Sequence, residues 1–324
     1  MSIRARFAGA FALCVCFAAP ATAETPVMRI ATQASGTVAW ELDTITHYGL
    51  DTANGVSLDI RDVAGKSGAS VALQAGEADA IVSDWLWVAR QRAAGEDLVF
   101  IPYSKAVGAL MVKGDSPVQK LSDLDGQKIG IAGGPVDKSW LILRAYAQQT
   151  EGFDLKTATE QVFGAPPLIF KAALSGEVAG AINFWHFGAK MEAAGMRPVV
   201  TVTEAAEALG LDPETPLLGY VVRGDFLKAH PEAVAGFAAA SRAAKDRLAT
   251  DDAAWERLRD RMNAKDDAQF QALKAGWIAG IPAPGPVSRD AAARMLALMA
   301  DLGGSELMGD VAELPDGVFY DPAM

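Results

Sequence analysis

Cysteine is almost absent from this chain of 324 residues. The two thiols, Cys14 and Cys16, both fall in an N-terminal stretch that reads as an export address. Arg4 and Arg6 form a basic start, Phe7 to Ala19 an apolar run of 13 residues, and Ala21-Thr22-Ala23 a small-x-small cleavage pattern, with Glu24 the expected mature N-terminus. That run is shorter than the ~20 residues a membrane-spanning helix needs. Leu13 and Val15 precede the cysteines, where lipoprotein processing requires a small residue. Cleavage therefore leaves no cysteine, which excludes disulfides, thiol nucleophiles and cysteine metal sites together.

Basic residues are also scarce: 29 Lys and Arg stand against 40 Asp and Glu, a net charge of −11. Removing residues 1–23 takes away two arginines and no acid, which gives −13. So acidic a surface repels nucleic acid and anionic membrane. Three scattered histidines and no His-Glu-x-x-His make a zinc centre improbable, and no metal or cofactor is expected. Ala64-Gly65-Lys66-Ser67 resembles half of a phosphate loop, but Ile60 stands where the pattern needs glycine. Gly133-Gly134-Pro135 lacks dinucleotide-binding spacing, and no Gly-x-Ser-x-Gly elbow occurs. No other long apolar run follows residue 23, so the mature chain is expected to be soluble, without membrane insertion.

What is present is an alternation of strands and helices. Val27–Thr32, Ser57–Val63, Asp79–Val82 and Leu98–Pro102 read as strands, separated by helical patterns that start after Gly36-Thr37 and Gly65-Lys66-Ser67-Gly68. The pattern restarts with strands at Gly108–Val112, Lys128–Ile131, Gln161–Phe163, Ala179–Ile182 and Leu217–Val222. Residues beyond Asp225 are helical in pattern, broken at Gly280–Pro286 and irregular after Gly303. Such alternation argues for βαβ units and parallel sheets. A repeat supports two halves built alike: Ala72, Gly76, Glu77, Trp85, Ala89, Ala94 and Gly95 recur 100 residues later as Ala172, Gly176, Glu177, Trp185, Ala189, Ala194 and Gly195.

Four segments carry a family resemblance: RIATQASGT, AGKSGAS, LQAGEADAIVSDW and KLSDLDGQKIGIAGG. With them the chain resembles the nitrate/sulfonate/taurine-type periplasmic binding proteins, which include thiamine-precursor binders, over roughly residues 27–245. The resemblance implies an α/β fold of two lobes (type II-like), each a mostly parallel sheet flanked by helices, with two hinge crossings. These are expected near Tyr103–Val107 and Pro216–Tyr220. Lobe one would comprise 24–103 and 220–324, and lobe two 104–219. It also implies a periplasmic monomer that closes on a small-molecule ligand and hands it to the permease of an ABC importer. Relatives that synthesise the thiamine pyrimidine use a cysteine-rich motif, which this chain cannot supply, so no enzymatic activity is expected. A fold-sharing periplasmic enzyme, or a partner of a periplasmic oxidoreductase or sensor, is the alternative.

In such sheets ligands sit beyond the carboxyl ends of the strands, where loops lead into helix N-termini that favour anions. This rule selects Gln33, Ser35, Gly36 and Thr37, then Lys66, Ser67 and Gly68, then Ser83, Asp84 and Trp85. From the second half it selects Gly133, Gly134, Asp137 and Ser139, with Asn183, Trp185 and His186, while Tyr103 and Tyr220 lie at the crossings. Trp40, Trp85, Trp140 and Trp185 all fall at or just after these loops, the pattern of an aromatic-walled cleft for a planar organic anion or a cationic head group. Asp84 is open to two roles, a partner for a ligand N–H or a cap for the helix that follows it.

Overall fold

A computed structural model of the chain describes residues 24–33 and 36–321. The export address at residues 1–23 and the candidate Ser35 lie outside the described residues.

The first third runs β1 (Val27–Thr32), α1 (Val38–His47), α2 (Leu50–Ala53), β2 (Ser57–Asp62), α3 (Gly65–Gln74), β3 (Ala80–Asp84), α4 (Trp85–Ala93) and β4 (Leu98–Ser104). The next runs β5 (Ala109–Lys113), β6 (Lys128–Ala132), α5 (Lys138–Glu151), α6 (Leu155–Ala158), β7 (Glu160–Gly164), α7 (Pro166–Ser175), β8 (Gly180–Asn183), α8 (Trp185–Ala193), β9 (Met196–Thr201) and α9 (Val202–Ala208). The chain then returns through β10 (Leu218–Arg223) to α10 (Gly224–Ala229), α11 (Pro231–Thr250), α12 (Asp252–Leu258), α13 (Asp267–Ala279) and α14 (Arg289–Met308). No helix among the described residues is long and apolar enough to cross a membrane.

The strands form two five-stranded sheets with the same plan, β2-β1-β3-β10-β4 and β7-β6-β8-β5-β9. Both are mixed. β1 runs parallel to β2 and β3, whereas β10 is antiparallel to β3 and β4. Likewise β6 is parallel to β7 and β8, and β5 antiparallel to β8 and β9. The repeat at 100 residues follows from this plan, because α3-β3-α4 and α7-β8-α8 occupy equivalent places. Gly76 (φ 74°) and Gly176 (φ 80°) end α3 and α7 in the left-handed region that favours glycine.

Strand faces show why each lobe buries both sides of its sheet. Met28, Ile30 and Ala80 enter one core, packed under α1, α11 and α13, while Ala31 and Ile81 enter another shared with the second lobe. β9 was not legible in the sequence because Pro198 interrupts it. It lies at the sheet edge, where a strand tolerates proline, and the register against β5 shifts between Leu110 and Met111. The expected crossings also move slightly. Tyr103 belongs to β4 and Tyr220 to the middle of β10, so the chain changes sheets at 105–108 and 202–217.

The last helices touch both lobes. α13 packs against α8, and α14 packs against α5 as well as α4. The tail then joins β4: Phe100 N–H donates to the Val318 carbonyl at 2.7 Å, and Tyr320 N–H to the Phe100 carbonyl at 2.9 Å. This covers an edge that would otherwise be free to pair.

Candidate functional site

A cavity of about 340 Å³ lies between the carboxyl ends of the two sheets. Five helices begin at its wall, as Val38 of α1, Lys66 and Ala69 of α3, Asp84 before α4, Lys138 of α5 and Trp185 of α8 show. Unpaired N–H groups at helix starts give such a wall a positive bias. Thr32, Gln33, Gly36, Thr37, Ser83, Tyr103, Asp137, Ser139 and His186 complete its polar lining, with Val82, Val107, Phe184, Leu217 and Leu218 as apolar surface.

Asp84 is the electrostatic centre. Its Oδ1 accepts the Trp87 N–H at 2.9 Å, capping α4. Its Oδ2 accepts from Lys138 Nζ at 2.9 Å and Lys66 Nζ at 3.2 Å. Lys66 belongs to the first lobe and Lys138 to the second, so the carboxylate ties the lobes together across the cavity. Burial alone would raise the Asp84 carboxyl, but the two ammoniums and the Trp87 N–H outweigh it and hold it well below the usual carboxylate range. Beside it the Ser83 hydroxyl is buried and finds no hydrogen-bond partner among the described residues.

Across the cavity Asp137 caps α5 through the Trp140 N–H at 3.1 Å, and burial pushes its carboxyl up. His186 is half-buried among Trp185, Phe184 and Phe187; burial, with some repulsion from Lys190, pushes its imidazole down to about 4. Tyr103 OH donates to Thr37 Oγ1 at 3.3 Å and accepts from Trp277 Nε1 at 2.9 Å, which fixes the ring in the wall. Behind it lies a buried ion pair, Lys245 Nζ to Glu41 Oε2 at 2.8 Å. Tyr220 OH and Ser241 Oγ also donate to Glu41, at 2.9 and 2.6 Å.

Several residues expected at the cavity lie elsewhere. Trp85 is fully buried against Phe319, and Trp140 is buried in the same core. Trp40 packs edge-on to Trp255, and Tyr220 points at Glu41. Position near a strand end brought the three tryptophans to the right level of the fold, but helix rotation turned them into the cores, whereas Tyr220 sits within β10 and faces the first-lobe core. Ser67, Gly68, Gly133 and Gly134 do not line the cavity. Asn183 is buried at the end of β8, where it donates to the Pro166 carbonyl and accepts the Phe184 N–H. Trp185 alone of the four loop tryptophans lines the cavity. The sequence reading passed over Lys138, although it sits between two residues selected, Asp137 and Ser139.

This arrangement of paired sheets and cleft can be placed among known proteins. The model of the NMT1/THI5-like family matches residues 49–254, more than half of the chain. The chain belongs to the NMT1/THI5-like family. As a member of it, the chain is similar in structure to the aliphatic sulphonate binding protein SsuA of Escherichia coli, at TM-score 0.72 and 18% identity over 92% of this chain and 93% of that one. It is also similar to the alkanesulfonate-binding protein SsuA of Xanthomonas axonopodis pv. citri bound to MOPS, at TM-score 0.69 and 17% identity over 92% of this chain and 99% of that one. A DszB mutant in complex with biphenyl-2-sulfinic acid also matches, at TM-score 0.59 and 16% identity over 91% of this chain and 96% of that one. No curated protein sequence matches the chain.

Proposed function

We propose that this NMT1/THI5-like protein is the periplasmic solute-binding component of an ABC importer. It takes a small organic anion with a planar or aromatic body between its lobes and delivers it, as a monomer, to the permease. The lobes in this reading are 24–104 with 218–324, and 105–217, one to two residues from the bounds expected from the sequence (24–103 with 220–324, and 104–219). The observation that carries it is the convergence of Lys66 and Lys138, one from each half of the chain, on Asp84 in one cavity whose wall also holds Phe184, Trp185 and His186. Each ammonium gives Asp84 one donor and keeps two, so the spare hydrogen-bonding capacity consists mainly of donors and suits an oxyanion head group. The similar sulfonate-binding proteins support the same solute class. The Ser83 hydroxyl is hydrogen-bonded to no base among the described residues, the adjacent Asp84 included, so nothing activates it as a nucleophile.

Thermal unfolding of the purified protein against sulfonates, carboxylates, nitrate, pyrimidines, other heterocycles and amines tests the reading. A ligand that binds only the folded state raises the midpoint with its concentration relative to Kd. A shift confined to organic anions is the expected result. A shift confined to amines, or conversion of a ligand into a new compound, would overturn it.

A further inference from the structure

The two ammoniums of the cleft are not a plain anion site, because a carboxylate is fixed between them. We propose that Asp84 is the charge filter of the cleft: without holding the ligand, it subtracts one charge from the Lys66–Lys138 pair, so that the site takes organic monoanions and rejects dianions such as phosphate monoesters. The inference rests on the anion-binding reading above and narrows it.

Geometry leaves Asp84 no alternative position. Its Oδ1 is held by the Trp87 N–H at 2.9 Å as the cap of α4, and its side chain is only 6% exposed. Its Oδ2 lies 2.9 Å from Lys138 Nζ and 3.2 Å from Lys66 Nζ. A ligand oxygen at hydrogen-bond distance from either ammonium therefore lies within about 6 Å of that carboxylate oxygen. Two cations and one fixed anion leave a single positive charge. A monoanion balances this set, whereas a dianion leaves an uncompensated charge in a partly dry cavity. Asp137, the other acid in the wall, adds to the same exclusion whenever it is ionised. At about 6 Å and an effective dielectric of about 20, the repulsion from Asp84 discriminates by roughly ten- to a hundredfold per unit of ligand charge.

The test compares two probes with one body, benzenesulfonate and phenyl phosphate, at about pH 8, where the phosphate is a dianion. Affinities are measured by calorimetry for the wild type, Asp84→Asn and Asp84→Ser. Both substitutions keep an oxygen that can cap α4, so at least one should preserve the fold. The wild type should favour the sulfonate, and in a folded variant the affinity ratio should move toward the phosphate by about tenfold or more. An unchanged ratio in a folded variant overturns the charge filter while leaving anion binding in place. Absence of binding by both probes to the wild type overturns the anion-binding reading itself, and the filter with it.

Discussion

Trp185 of the second lobe lies against the backbone of Gly276 in α13: a Cβ at Gly276 would stand 2.9 Å from Trp185 Cζ3 and 3.0 Å from Cε3. The same ring meets Trp40 edge-on, with centroids 6.2 Å apart, and forms part of the cavity wall. One side chain thus links the ligand cavity to the helix that joins the lobes from behind.

Gly276→Ala should therefore act on both. The added methyl forces the indole or α13 to give way, at a cost of about 1–3 kcal/mol. Urea unfolding should show that loss, and titration with the best ligand should show weakened binding as well.

Trp85 and Trp185 should separate under the same truncation, although they occupy repeated positions. Trp85→Ala empties a fully buried site and should cost about 3–5 kcal/mol of stability. Trp185→Ala should instead weaken ligand binding by ~1–3 kcal/mol, with a smaller loss of fold. Denaturant midpoints and calorimetric affinities distinguish the two.

Lys245→Met should strand a buried carboxylate. Glu41 would keep only Tyr220 and Ser241, and stability should fall by about 3–5 kcal/mol. Adding Glu41→Gln should restore much of it, which urea unfolding of the single and double variants measures.

His186 should make the protein weaker in mild acid. Burial holds its imidazole neutral down to about 4, whereas the unfolded chain takes up that proton near 6.5. Stability is therefore lost as pH falls from 6.5 toward 4, at up to about 1.4 kcal/mol per unit, and levels off below. His186→Gln should remove that part of the slope, measured as the difference between the two stability–pH curves.

The sequence made the scaffold legible and the wall of the cavity only partly so. Val27–Thr32 and the strands after it, β9 excepted, announce themselves through β-rich runs that end in loops, and the strand-end rule selects Lys66, Ser83, Asp84 and Asp137, which line the cavity. It could not tell which way a helix turns its first residues. Trp85 and Trp185 begin equivalent helices, yet the tail residue Phe319 covers one, while Gly276 leaves the other beside the cavity. Both partners lie more than 90 residues from the tryptophan they meet, beyond the reach of local pattern. Glu41, Ser241 and Lys245 stayed hidden for the same reason: a buried ion pair between two amphipathic helices reads as two solvent-facing charges.

The place of β10 between β3 and β4 also sets an order of assembly. The second sheet draws all its strands from residues 109–201 and can form from one continuous stretch. The first must wait for Leu218–Arg223, because until then β3 and β4 have no common neighbour. Closing so long a loop is slow. A chain interrupted before residue 218 should hold one finished sheet and one in which β3 and β4 both lack their shared partner, the form most exposed to aggregation and proteolysis.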